Sequence, residues 1–147
     1  MKHVEIKDGD RRVVVVAVDK EEEAVAAING AAETFGIRGA RVTAVGGFAS
    51  ATLGYFDRDK GDYLHIPVIE QVEVLTLQGD VADNKGKAAL HLHGVLGHRD
   101  GRTVGGHLIR GEVWPTLEVI ITEVGAGLTK SIDPETGLAL LTGETEQ

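Results

Sequence analysis

The order of apolar and polar positions predicts one strand, one helix and then a long series of strands. The β-branched run at 12–18 is typical of a strand covered on both faces, and we expect it to be central in a sheet. Asp19 is the expected N-cap of the helix, with Glu22 at the capping-box position. Apolar residues then recur at helical spacing up to Gly36, at Val25, Ile28, Ala32 and Phe35.

After this helix the pattern is that of β-strands. Gly and Asp recur between the apolar segments, which is typical of hairpins rather than of helical crossovers. We therefore expect a single α+β domain over residues 1–147, in which one main helix packs on a mainly antiparallel sheet. The chain is expected to turn at 133–138 and to fray from about 142 to 147. The predicted strands are 40–45, 49–56, 63–71, 72–77, 88–96, 104–110 and 116–124.

Three histidines fall on one hairpin of this pattern. His91 and His93 lie two residues apart on one strand and therefore share a face, and His107 lies on the next strand, after a turn at 97–103. The hairpin register decides whether His107 joins them, because a slip of one residue moves it to the opposite face. The cluster therefore depends on the length of the turn.

Two turns compete for this hairpin. A two-residue turn at Asp100-Gly101 would pair His93 with Leu108 and leave His107 on the other face. A three-residue loop at 99–101, with Gly101 in the left-handed conformation, pairs His93 with His107 instead. We favour the three-residue loop because it also matches apolar residues on the opposite face, Leu92 with Leu108 and Leu96 with Val104.

Three imidazoles in a chain without cysteine are typical of an open metal site. Neutral imidazole binds zinc, copper, nickel or iron, and three protein ligands leave a fourth position for water or a substrate atom. A zinc-bound water would make hydrolytic or lyase chemistry available. Glu112 and Glu118 are the candidate general acids or bases, and surface carboxylates are the alternative reading. No Ser-His-Asp or Cys-His signature is present, so the sequence does not establish an enzyme.

The same three histidines could instead form a hydrogen-bonded or solvated face without metal. The remaining histidines, His3, His65 and His98, have no such pattern and are expected to be ordinary strand or loop residues. We favour metal binding by the trio because three histidines in one register are harder to explain as unrelated side chains.

Composition bears on partners and compartment. A formal net charge of −8 disfavours binding to nucleic acid, since the basic residues do not gather in the sequence. The six aromatic residues are too few and too dispersed for base stacking. The absence of cysteine fits a reducing cytoplasm, and no segment has the length of a membrane span. We expect a cytoplasmic protein without a membrane partner.

Six short motifs resemble the plants and prokaryotes conserved (PPC, or DUF296) domain family, and together they cover nearly the whole chain. They lie at 51–57, 72–79, 91–93, 105–108, 111–113 and 133–138. The resemblance implies an α/β-type fold with a mainly antiparallel sheet and a helix, assembled as a homotrimer through sheet edges. It also implies that His91, His93 and His107 are the metal ligands, for zinc, near subunit interfaces.

The resemblance brings an alternative function as well. In plants this domain accompanies AT-hook motifs in nuclear proteins, so that its prokaryotic relatives are often labelled DNA-binding. An AT-hook needs an Arg-Gly-Arg-Pro core, and the nearest segment here, 38–41, lacks the proline and the second arginine at that spacing. We therefore predict a zinc-binding homotrimer with a small-molecule ligand, and keep a DNA-binding or regulatory protein as the alternative.

Overall fold

A computed structural model describes residues 1–125 and 127–143 of the protein. Within these residues one helix, α1, spans Ala24–Thr34, and nine strands form a single sheet. The strands pair antiparallel, except for one parallel bridge that joins β5 to β8. The strands are β1 (Lys2–Asp8), β2 (Arg11–Asp19), β3 (Gly39–Asp57), β4 (Asp62–Val68), β5 (Val72–Asn84), β6 (Lys87–Gly97), β7 (Thr103–Glu123), β8 (Leu128–Ile132) and β9 (Ala139–Gly143). The expected α+β class, with a mainly antiparallel sheet and one helix, is confirmed.

The sheet curves so strongly that four of its strands close a ring. Strand β3 pairs with β5 and β7, and β6 pairs with the other edges of the same two strands. Strands β3 and β7 each combine two of the predicted strands, because bulges bend them without ending the pairing. At one bulge a side chain on Gly46 would overlap the carbonyl oxygen of Thr116. The glycines that suggested a strand end between the two predicted strands of β3 instead mark a bend within one continuous strand.

Helix α1 begins later than its sequence predicts. Its N-cap is Glu23, whose carboxylate accepts hydrogen bonds from two first-turn backbone N–H groups at 3.1 and 2.8 Å. The prediction of Asp19 as N-cap is wrong, because the segment before the helix instead pairs with β7 at Val113: the Glu21 N–H donates to the Val113 carbonyl, and the Val113 N–H donates to the Glu22 carbonyl. The expected end of the helix is confirmed, with Gly36 in the left-handed conformation at a φ of 64°.

The core lies between α1 and the inner face of the sheet, where the helix contacts β2, β6 and β7. In β2, Val14, Val16 and Val18 are fully buried, whereas Val15 and Ala17 on the opposite face are only partly buried. The expectation of a central strand covered on both faces is met only in part, because β2 lies second from the sheet edge and, on its outer face, Val13 is buried while Val15 and Ala17 are partly exposed. Strand β1, which had no clear sequence signal, lies at the sheet edge beside β2.

The β5–β6 hairpin is longer than predicted. Strand β5 continues past residue 77 to Asn84, and Lys85 and Gly86 form a two-residue turn with φ values of 55° and 84°. Gly79, which suggested a strand end, lies where a Cβ atom would overlap the carbonyl oxygen of His91. The extension places Asp80 directly opposite His91.

At the end of the chain, the predicted turn at 133–138 is confirmed, with backbone hydrogen bonds between Asp133 and Leu138 and between Gly137 and Asp133. Residues 142 and 143 belong to β9, whereas the fraying expected at 144–147 lies outside the described residues. No helix of the described chain combines the length and the apolar character needed to cross a membrane.

Candidate metal centre

The β6–β7 turn has the three-residue geometry that the sequence favoured. The His98 N–H donates to the Arg102 carbonyl at 2.8 Å, and the Gly101 N–H donates to the His98 carbonyl at 2.9 Å. Gly101 has a φ of 85°, the left-handed conformation expected of the last loop residue. The resulting register pairs His93 with His107 and also Leu96 with Val104. The competing two-residue turn is therefore absent.

The pairing of β6 with β7 ends at the histidines, at a place that we call the fork. Beyond the His93–His107 pair, β7 pairs with β3, so that Leu108 lies opposite Leu53. The predicted pair of Leu92 with Leu108 is therefore wrong, although both side chains are buried. Strand β6 continues beside β5 alone. The divergence opens the sheet next to His107.

The three histidines form one cluster on the face of the sheet opposite to the core leucines. One ligating nitrogen from each of His91, His93 and His107 can be chosen so that all three lie within 4.8 Å of one another. The Nε2 atoms of His91 and His93 are 3.1 Å apart. Zinc–nitrogen bonds of about 2.0–2.1 Å require ligand nitrogens roughly 3–4 Å apart, so this donor set fits zinc in type and nearly in spacing.

The surroundings of the cluster favour the neutral form of two of its imidazoles, those of His91 and His107. Burial, followed by repulsion from His91 and His93, lowers the pKa of His107 to about 4. Burial also lowers the pKa of His91, with Lys130 and His93 acting in the same direction and Asp80 opposing them. Neutral imidazole is the form that binds a metal ion. His91 and His107 are therefore shifted towards their ligand form.

The environment of His107 also bears on whether the cluster fits a metal ion. Its Nδ1 atom is buried and has no hydrogen-bond partner among the described residues. The ring of Tyr63 stacks on the His107 imidazole, with 4.7 Å between the ring centroids and 24° between the planes. Because buried polar atoms are almost always paired, an unpaired ring nitrogen in a histidine cluster is what a metal-free ligand set would show.

Two residues behind the cluster had not been predicted from the sequence. Asp80 Oδ2 lies 3.7 Å from His91 Nδ1, and Asp80 Oδ1 lies 2.7 Å from the ammonium group of Lys130, although this ion pair lacks hydrogen-bond angles. Lys130 is only 7% exposed and also donates to the Ala89 carbonyl at 3.2 Å. A carboxylate beside a ligating histidine fixes its ring orientation and raises its basicity.

The predicted acid–base candidates do not lie at the cluster. Glu112 is half-buried and bridges the backbone of Glu23 before α1, and Glu118 is exposed between β2 and β3. Neither lines the cavities that touch the histidines. The other histidines lie outside the cluster: His3 packs on Phe35, His98 contacts Glu70 at 2.9 Å, and His65, exposed on β4, lines the cavity that enters beside His107.

Three cavities meet at the cluster, so its metal-binding position would be accessible. An open groove of about 520 Å³ lies over β3, β5 and β6 on the side of His91 and His93. A second cavity of about 310 Å³ enters the fork beside His107 and is lined by Tyr63, Leu90 and Ile109. A third cavity, of about 220 Å³, lies between His91, Lys130 and the β8–β9 hairpin. A small molecule could therefore reach a fourth coordination position.

Known proteins resemble this chain in sequence and in structure. Residues 6–125 match the model of the Plants and Prokaryotes Conserved (PCC) domain. A metal-containing protein from Archaeoglobus fulgidus is 33% identical, with a TM-score of 0.82 over 97% of this chain and 99% of its own. A plant- and prokaryote-conserved protein from Pyrococcus horikoshii is 27% identical, with a TM-score of 0.83 over 96% of this chain and 94% of its own.

Two further similarities are informative in a narrower way. A candidate DNA-binding protein from Bacteroides thetaiotaomicron has the same fold, with a TM-score of 0.87 over 97% of this chain and 98% of its own, at 23% identity. The bifunctional protein GlmU of a Synechococcus species is 33% identical over 98 residues. That match spans 65% of this chain but only 14% of the GlmU protein. With its domain match and shared fold, the chain belongs to the plants and prokaryotes conserved domain family.

Proposed function

We propose that this protein binds zinc through His91, His93 and His107 and presents an open coordination position to a small molecule. The observation that carries the proposal is the three-residue turn, which brings the three imidazoles to one face with their ligating nitrogens within 4.8 Å. The low pKa of His107 and its unpaired Nδ1 atom support the same reading. The relative from Archaeoglobus fulgidus, described as metal-containing, adds support from outside this chain.

Bound zinc would supply Lewis acidity and a water of lowered pKa, which are the requirements of hydrolytic or lyase chemistry. The chain's own residues would position the ligands. Asp80 would hold the ring of His91, and the ammonium group of Lys130 would hold Asp80 in place as its ion-pair partner. Glu112 and Glu118 line none of the cavities at the cluster, so they would not supply a proton-transferring group there.

Metal analysis tests the zinc proposal directly. Protein purified without a histidine tag, dialysed against zinc and then freed of excess metal, should retain about one zinc per chain. His91→Ala and His107→Ala should each lower zinc affinity by more than ~100-fold, since each removes one of three ligands. His3→Ala removes an exposed histidine on β1 that lines none of the cavities at the cluster, and this variant should retain the metal. Equal zinc in all four proteins, or none in the wild type, would refute the site.

We further propose that the protein is a cytoplasmic homotrimer. Large apolar side chains remain exposed on strands of the single chain, as expected of surfaces that a partner subunit covers. They are Val4, Val45, Leu75, Val95 and Ile120. Sedimentation equilibrium should give three times the chain mass of 15.6 kDa. A mass equal to a single chain at micromolar concentration would contradict the assembly without affecting the metal site.

The DNA-binding alternative rests on the description of relatives rather than on residues of this chain. A net charge of −8 opposes association with a polyanion. We therefore expect no binding to duplex DNA above background at about 150 mM salt, measured by fluorescence anisotropy. Saturable binding under those conditions would restore a regulatory function as the better candidate.

A further inference from the structure

We propose that the groove beside the histidines binds a small organic acid, with its carboxylate or phosphate on Arg41 and a second oxygen at the metal. This inference rests on the proposed zinc site and deepens it by naming the class of ligand. The groove, of about 520 Å³, connects Arg41 with His91 and His93 across the outer face of three strands. It is the largest of the cavities that touch the cluster.

Strand register places these residues on one face. Arg41 of β3 lies opposite Asp80 of β5, which lies opposite His91 of β6. In the neighbouring row, Thr43 lies opposite Gln78, which lies opposite His93. Directly paired residues of antiparallel strands point to the same face, so both rows line the groove. Adjacent strands are about 4.8 Å apart, which puts the Cα atoms of Arg41 and His91 roughly 10 Å apart.

The charges along this groove favour an anion. The guanidinium group of Arg41 is exposed and has no carboxylate within ion-pair distance among residues 1–125 and 127–143. Asp80 is the only acidic residue lining the groove, and Lys130, beneath it, offsets its charge at 2.7 Å. The groove therefore carries an unused positive charge in a protein whose net charge is −8.

The uncharged groups of the groove suit the same ligand. Thr43 lies beside Arg41 on β3, and Gln78 lies between Thr43 and His93. Neither the hydroxyl of Thr43 nor the amide of Gln78 makes a hydrogen bond within the described structure. Both can donate to oxygen atoms, and arginine binds carboxylate or phosphate with two parallel hydrogen bonds. A compact acid with oxygen donors a few bonds apart would span from the guanidinium group to the metal position.

Binding measurements with two defined acids test this inference. Succinate and phosphoglycolate are titrated into the zinc-loaded protein by calorimetry, and into the cobalt-loaded protein while the visible spectrum is recorded. Butyrate, which lacks the second acidic group of succinate, is the control ligand. We expect succinate or phosphoglycolate to bind at least about tenfold more tightly than butyrate and to change the cobalt spectrum. The stronger of the two identifies the acidic group as carboxylate or phosphate.

Substitution of Arg41 gives the decisive comparison. Arg41→Gln should weaken binding of the preferred acid about tenfold or more while the metal content stays unchanged, and Arg41→Lys should lie between the two. Arg58→Gln, in the exposed turn after β3, is the matched control and should bind as the wild type does. Equal affinity in Arg41→Gln and wild type, or no binding of either acid at millimolar concentration, would overturn the inference while leaving the zinc site intact.

The metal-free protein separates this inference from the zinc proposal. If zinc analysis fails, weak succinate or phosphoglycolate binding that disappears in Arg41→Gln would still support an anion site at Arg41. Equal binding by both metal-free proteins would count against that site. Because Arg41 is exposed, thermal unfolding of the variant should match that of the wild type, which excludes misfolding as the cause of lost binding.

Discussion

The two faces of the β6–β7 hairpin share one backbone but differ in environment: the inner face is part of the buried core, and the outer face carries the histidine cluster. On the inner face, Leu92, Leu96 and Leu108 are at most 3% exposed and belong to the core. On the outer face, His91, His93 and His107 gather at an accessible position. Because side chains alternate along a strand, the register that buries the leucines is also the register that assembles the histidines. The core therefore specifies the site, and the site need not contribute to folding.

The largest expected effect comes from weakening the inner face. Leu96→Ala removes a fully buried side chain and should lower the free energy of unfolding by about 2–5 kcal/mol, measured by urea denaturation. Under native conditions its zinc content should equal that of the wild type, because the ligands are on the other face. His3→Ala, on the exposed edge strand β1, serves as a control that should leave the zinc content unchanged and the free energy of unfolding within about 0.5 kcal/mol of the wild type. Loss of zinc from folded Leu96→Ala would show that the two faces are not independent.

A smaller effect, on zinc affinity, is expected from substitution of Asp80, which contacts His91 from behind the cluster. Asp80→Asn removes the carboxylate beside His91 and should reduce zinc affinity by about 10–100-fold, measured by competition with a chelator. This change also leaves the buried Lys130 without its counter-charge, which lowers stability. The double variant Asp80→Asn/Lys130→Met removes that charge. If the double variant recovers wild-type affinity, Asp80 acts through stability and not through His91.

The smallest effect is a pH dependence of the metal-free protein. The pKa of His107 is about 4 when folded and about 6.5 when unfolded, so the unfolded chain binds the extra proton between these values. The free energy of unfolding should therefore fall as the pH falls from 6.5 towards 4. Between pH 7 and 5 the wild type should lose about 1 kcal/mol more than His107→Gln, after allowance for solvent screening of a half-buried ring. Parallel curves for the two proteins would contradict this assignment.

The sequence was sufficient for the histidine hairpin because short-range rules govern it. The alternation of apolar and polar residues, with Gly101 as the left-handed position, was enough to choose the turn and to pair His93 with His107. Asp80 was missed because Gly79 was read as a strand end, although this glycine allows close approach to β6. Reading Lys85-Gly86 as the hairpin turn would have set the register that pairs Asp80 with His91.

Lys130 had no usable signal, since β8 joins the sheet through a single parallel bridge between distant parts of the chain. The start of α1 was missed for a similar reason. Pairing with β7 at Val113 competes with helix formation at residues 20–23, and such a tertiary contact cannot be read from the local pattern around Asp19. Local geometry was predictable, whereas contacts between remote segments were not.

The continuity of β7 has a consequence for the dynamics of the site. One uninterrupted strand carries His107 near its start and the buried Val119 and Ile121 near its end, and it pairs with β2, β3 and β6. Amide hydrogens of the paired core exchange only in rare, global openings, whereas weakly attached segments exchange through local ones. Deuterium should therefore enter the backbone at His107 almost as slowly as in the core, and much faster in the β8–β9 hairpin. The strand that carries His107 would then be rigid, whereas the hairpin that borders the third cavity would open easily.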